Sequence, residues 1–175
     1  EKFDFPKPHG GGTAYMNTID KDGLGVSLIQ SNFHGIGSRI GVGSFGFFLH
    51  NRGCGFNLDS KHPNYLTPGR KPLHTLSPTI WSKNGNLEFI AGTRGGRYQP
   101  QLLIQTILPY IQKSDSFEEI IKEPRWVIEN FSSETISKLR FEKINNEDLE
   151  ILLKKGHEVE VENKFNKAYG PISII

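Results

Sequence analysis

Hydroxyl, thiol and imidazole side chains carry most nucleophilic and general-base chemistry, and their placement in this sequence narrows what the chain can do. Thr13 follows Gly10-Gly11-Gly12, which taken alone reads as a flexible lead-in to a strand. A hydroxyl is a poor nucleophile until a base takes its proton, and a freed α-amine, titrating at about 7.7 to 8.0, suits that task near neutral pH. Gly95-Gly96 offers two backbone N–H groups without side chains in the way. Donors of that kind stabilise a developing oxyanion, and losing one slows acyl transfer about 100-fold or more. His9, His34, His50, His62, His74 and His157 are scattered without a metal-ligand spacing, so no metal site and no cofactor are expected. Cys54 is the single cysteine, which rules out an intrachain disulfide or a multi-cysteine metal site, and Arg52 is its one evident cationic neighbour. Gly41-Val42-Gly43-Ser44-Phe45-Gly46 has the spacing of a dinucleotide fingerprint, but no helical pattern follows it.

These residues need elements to hold them, and the first half of the chain reads as strand and turn. Ala14 to Ile19 and Gly25 to Gln30 are β-prone runs around Asp20-Lys21-Asp22-Gly23, whose Asp-Gly pair is a hairpin signal. Such a hairpin sets the strand ending at Ser31 beside the one starting at Thr13 and brings the two hydroxyls to one end. The glycines from Gly35 to Gly46 argue against a helix or regular strand there, and Phe45 to Leu49 reads as a short apolar strand. Asn57 to Pro72, with three prolines, should be a long surface loop. Thr79 to Ser82 and Leu87 to Ala91 flank Asn84-Gly85 and predict a second hairpin of two buried strands, aimed at Gly95-Gly96.

The second half turns helical. Leu103, Ile104, Ile107, Leu108 and Ile111 form a helical stripe over Pro100 to Gln112, with Pro109 kinking it or marking an uneven turn. Ser116 and Glu119 have the form of a capping box for a short helix ending before Pro124. Trp126 to Ile128, Lys138 to Phe141, Glu158 to Glu162 and Pro171 to Ile175 read as strands, and Asn146 to Lys155 as a helix stopped by Gly156. One domain is expected.

The run Gly12-Thr13-Ala14-Tyr15, Asp20-Lys21-Asp22-Gly23 and Val26 to Asn32 resembles the start of the small subunit in the gamma-glutamyltranspeptidase family. Gly46 to Asn51, Pro68 to Thr79, Gly95-Gly96 and Pro124-Arg125-Trp126 follow in that family's order. The resemblance implies an α+β, four-layer αββα sandwich of the amino-terminal nucleophile hydrolase type, only partly present in this chain. It implies a zymogen that cuts itself between Gly12 and Thr13, so that residues 1–12 end the large-subunit region and 13–175 form the small, catalytic subunit region. The large subunit of the same precursor would be the partner in a heterodimer, and the substrate a small amide or gamma-glutamyl compound. By the same resemblance Thr13 is the nucleophile, Ser31 orients it, Gly95 and Gly96 bind the acyl oxygen, and Asn32 touches substrate. His74 and Thr75 stand where a serine pair binds the substrate α-carboxylate.

The sequence also departs from that pattern. Glutathione-cleaving members carry an acidic residue for the substrate α-amino group after the Leu-x-Asn segment, whereas this chain has Arg52-Gly53-Cys54-Gly55. An arginine in a substrate pocket favours an anionic group, the reverse of what an ammonium needs. Asn51-Arg52-Gly53 resembles instead the branch related to cephalosporin acylases, which implies hydrolysis or transfer of an amide-linked acyl group, a carboxylated one among the candidates and not necessarily gamma-glutamyl; the alternative for Arg52 is pairing with a carboxylate of the large subunit. The alternative is a non-catalytic scaffold or binding protein of the same fold.

Composition sets outer bounds. A net charge of +2 from interspersed residues gives no nucleic-acid footprint, and no apolar run approaches the roughly 18 residues of a membrane span. The compartment is left open.

Overall fold

The computed structural model of the protein describes residues 11–112, 116–129, 137–162, 165–166 and 169–175. His9 and most of the expected linker, residues 1–10, lie outside them.

The Asp-Gly turn builds the first element. The Asp20 carboxylate accepts the N–H groups of Asp22 and Leu24, each at 2.9 Å, and Gly23 takes the left-handed φ that closes the reversal. Strands β1 (Gly11–Ile19) and β2 (Gly25–His34) therefore pair antiparallel, with Thr13 opposite Ser31 and Tyr15 opposite Ile29. Side chains alternate: Thr13, Tyr15, Asn17 and Ile19 face inward, while Met16, Val26 and Leu28 stand exposed on the other face.

The inner face packs on a second sheet, ordered β3 (Thr79–Lys83), β4 (Asn86–Thr93), β8 (Ile172–Ile174). Asn84 and Gly85 both adopt positive φ, the turn geometry that Asn-Gly predicts. Of these strands β4 is buried from Phe89 onward, but β3 alternates and leaves Ile80 exposed, so only one of the two expected buried strands is buried. Phe89 and Ala91 meet Leu103 and Ile107 of helix α1 (Gln99–Ile111) to form the main core, with Trp81, Tyr110 and Phe117 around it. Pro109 lies inside α1 near its end, so the helix carries on two residues past it. A capping box starts the short α2 (Phe117–Ile120), as its sequence predicts.

A third sheet holds β5 (Trp126–Ile128), β6 (Lys138–Phe141) and β7 (Glu158–Val161). Strands β6 and β7 pair in parallel across the connecting helix α3 (Asn146–Lys154). Arg125 fixes this sheet to the rest. Its backbone N–H, Nε and Nη2 all donate to Glu142, which is 3% exposed and also receives the Asn166 N–H. Although burial favours the neutral acid, the Arg125 hydrogen bonds and charge hold the Glu142 carboxyl below its ordinary value.

Phe45 to Leu49 is not a strand. Gly43–Phe45 forms a single 3-10 turn, and one isolated bridge joins Gly41 to Phe48. Gly43 and Gly46 both take left-handed φ, which breaks an extended run.

Candidate active site

Hairpin register does most of the positioning. Thr13 and Ser31 are cross-strand partners, and Thr13 Oγ1 donates to Ser31 Oγ at 2.9 Å. The Ser31 hydroxyl also accepts the Phe33 N–H at 3.0 Å. Between Thr13 and Gly11 the ladder shifts: Gly11 faces His34, so β2 carries one extra residue opposite Gly12. Phe33 absorbs this bulge at φ 78°, a conformation unusual for a bulky residue. Gly12 is required there by packing rather than by its backbone angles. Its φ is not left-handed; instead the Gly35 carbonyl oxygen lies against it, where a Cβ would overlap.

Sheet stacking carries this end of the hairpin toward the glycine pair. A Cβ on Gly25, next to the turn, would overlap the Leu87 and Ile90 side chains, and one on Gly92 would overlap the Tyr15 ring. The far end of β1 thus lies over the start of β4, and Tyr15 lies near its finish. Thr13 lies two residues further back along β1, in the direction of the end of β4 that leads to Gly95 and Gly96. The pair takes φ values of 127° and 58°, available to glycine, and turns the chain into α1. Neither N–H has a protein acceptor among the described residues.

Arg52 is the dominant charge. It opens a 3-10 turn, Arg52–Gly55, is 8% exposed, and lays its guanidinium over the Phe33 ring at 4.5 Å. Nη1 donates to Thr75 Oγ1 at 3.1 Å, while Nη2 is buried without an acceptor. Among the described residues no carboxylate pairs with it. Burial depresses the pKa of both Arg52 and His34, and the charges of Arg52 and Arg97 lower His34 further, which favours its neutral imidazole.

The structure therefore brings together Gly12, Thr13, Ser31, Arg52 and Thr75 around the bulge. His74, next to Thr75, is exposed and makes no hydrogen bond among the described residues. Asn32 Nδ2 donates to the Ile36 carbonyl of its own loop at 3.4 Å. Sequence reasoning missed Phe33, Asn51 and Arg97. Asn51 closes the Gly46–Asn51 stretch and Arg97 directly follows the glycine pair, so adjacency is the available signal. Cys54 is exposed in the Arg52 turn, and no α-helix follows Gly46 to complete a dinucleotide fingerprint.

A hydroxyl pair beside free backbone N–H donors is an arrangement chemically able to support acyl transfer. The gamma-glutamyltranspeptidase family profile matches residues 1–175, and the chain belongs to that family. It is 36% identical over 170 residues to the glutathione hydrolase-like YwrD proenzyme of Bacillus subtilis, covering 97% of this chain and 32% of that one. It is 34% identical over 169 residues to the oxamate amidohydrolase proenzyme of Klebsiella pneumoniae, covering 93% and 32%. Among solved structures, cephalosporin acylase from Bacillus halodurans superposes with a TM-score of 0.79 at 33% identity, over 92% of this chain and 29% of that one. A Helicobacter pylori gamma-glutamyltranspeptidase mutant, at 20% identity and a TM-score of 0.75, covers 92% of this chain and 89% of its own, and shows the shared fold. The described residues are thus part of an amino-terminal nucleophile hydrolase fold. The chain spans about a third of the length of the first two relatives.

Proposed function

We propose that this chain carries the nucleophile of an amide-cleaving acyl transferase or hydrolase that activates itself by cutting before Thr13. In this reading Thr13 Oγ1 attacks the Gly12 carbonyl carbon, the C–N bond breaks, and the Gly12 acyl group passes to oxygen as the Thr13 amine is released. Water then hydrolyses that ester, leaving a Gly12 carboxylate and a free amino-terminal threonine. In turnover the new amine takes the Oγ1 proton as the oxygen attacks a substrate amide, and Gly95 and Gly96 N–H groups stabilise the oxyanion. The leaving amine departs with the proton, and water or a second amine then takes the acyl group. Residues 1–12 would end the large subunit, with 13–175 belonging to the small one and the rest of the precursor as its partner.

The observation that carries this reading is the 2.9 Å hydrogen bond between Thr13 and Ser31, formed beside a bulge that holds the Gly12 peptide. Arg52, buried and without a carboxylate among the described residues, directs substrate choice toward an acyl group bearing a carboxylate. The name of the Klebsiella relative, an oxamate amidohydrolase, points to a small anionic amide. Intact-mass analysis of the full-length protein tests the proposal: wild type yields a product beginning at Thr13, and Thr13→Ala stays whole. A wild-type precursor that remains uncut on long incubation returns the chain to a scaffold role.

A further inference from the structure

We propose that Asn51 is a positioning residue for self-cleavage, holding the bulged turn that faces the Gly12–Thr13 bond; this rests on the reading above. The turn at residues 33–37 meets the bond in three ways. The Phe33 N–H is bound to Ser31 Oγ, His34 pairs with Gly11, and the Gly35 oxygen lies on Gly12. A displacement of this turn therefore moves both the attacking hydroxyl's partner and the carbonyl under attack.

Asn51 grips the turn from outside the hairpin. Its Oδ1 accepts the His34 N–H at 2.9 Å, and its Nδ2 donates to the carbonyls of His34 at 3.2 Å and Gly37 at 3.1 Å. Its own N–H donates to the Asn32 carbonyl at 3.1 Å. The side chain thus takes the His34 N–H and adds a second donor, beside the Gly37 N–H, to the His34 carbonyl, at a point where the bulge has interrupted the ladder. The approach is fixed alongside by Leu49, whose carbonyl accepts both the N–H and the hydroxyl of Ser38. Only an amide supplies an acceptor and two donors in one plane; aspartate would set a carboxylate oxygen against two carbonyls.

The test uses the full-length precursor and the rate at which the product beginning at Thr13 appears by intact mass. Asn51→Ala slows cleavage at least tenfold, and Asn51→Gln, which keeps the amide one methylene further out, restores at least threefold over alanine. Val127→Ala, a core deletion in β5, serves as a stability control and cleaves like wild type despite its lower thermal midpoint. The proposal is overturned by a slowing of less than threefold in Asn51→Ala, by a glutamine variant no faster than alanine, or by equal slowing in the control. If neither Asn51 variant folds, the residue serves stability alone and the proposal also falls. A wild type that never cuts refutes the proposed function instead, so the two failures are distinct.

Discussion

In the proposed function, Arg52 would set this site apart from one built for an ammonium. It lies on Phe33, bonds Thr75, and leaves one nitrogen buried without an acceptor. A hydrogen bond to a charged group contributes about 1.5–3 kcal/mol, or roughly 10- to 100-fold in binding. Arg52→Gln is therefore expected to raise KM about 10- to 100-fold for an anilide such as glutaryl-p-nitroanilide, and to leave a neutral acyl anilide within a few-fold. Strong selectivity of the wild type for gamma-glutamyl over glutaryl anilide would contradict this assignment. Thr13 and Ser31 were legible because an Asp-Gly turn fixes register, and register fixes which hydroxyls meet. Phe33 and Asn51 were not, because a bulge and a side-chain clamp leave no periodic trace. Gly12 was legible as a glycine but not in its cause: its contact with the Gly35 oxygen joins residues that no local pattern connects.

At the scale of elements, the stacking of the first sheet on the second depends on Gly92 making room for the Tyr15 ring. Gly92→Ala overfills that contact at an expected cost of about 1–3 kcal/mol, and should slow cleavage as well by shifting β1 along β4. Urea unfolding alongside intact mass checks both. Strand β6 is anchored through Arg125 and Glu142, whose side chains are 15% and 0% exposed. Glu142→Gln leaves a mostly buried guanidinium without its counter-charge and is expected to destabilise by about 3 kcal/mol. Since the Glu142 carboxyl is held low in the folded state, its contribution is present above the unfolded value of about 4.3 and fades as pH falls through the folded one. Wild-type stability should accordingly drop below about pH 4, and the drop should be smaller in Glu142→Gln. Helix and turn signals for α1, α2 and α3 read correctly because caps and stripes are local. The parallel pairing of β6 with β7 did not emerge, since strand patterns say nothing about the partner's direction.

For the molecule as a whole, the outer face of β1 and β2 leaves Met16, Val26 and Leu28 exposed side by side, Met16 directly opposite Leu28. If the rest of the precursor covers this face, Leu28→Asp should weaken the heterodimer, with the two products separating on gel filtration where wild type co-elutes. The order of elements was readable along the chain, but β8 joins β4 from the far end of it, a pairing set by the common core. The bulge has one more outcome. Strand β1 includes residues upstream of the bond proposed to break, and among the described residues there the ladder records one pair, Gly11 with His34. Cut there, Gly12 would keep the Gly11–His34 pair and its contact with the Gly35 oxygen but lose its covalent hold on Thr13. The same event that creates the amine would thus also uncouple the two sides of the bulge, leaving Thr13 on the regular part of the ladder and Gly12 on its irregular edge.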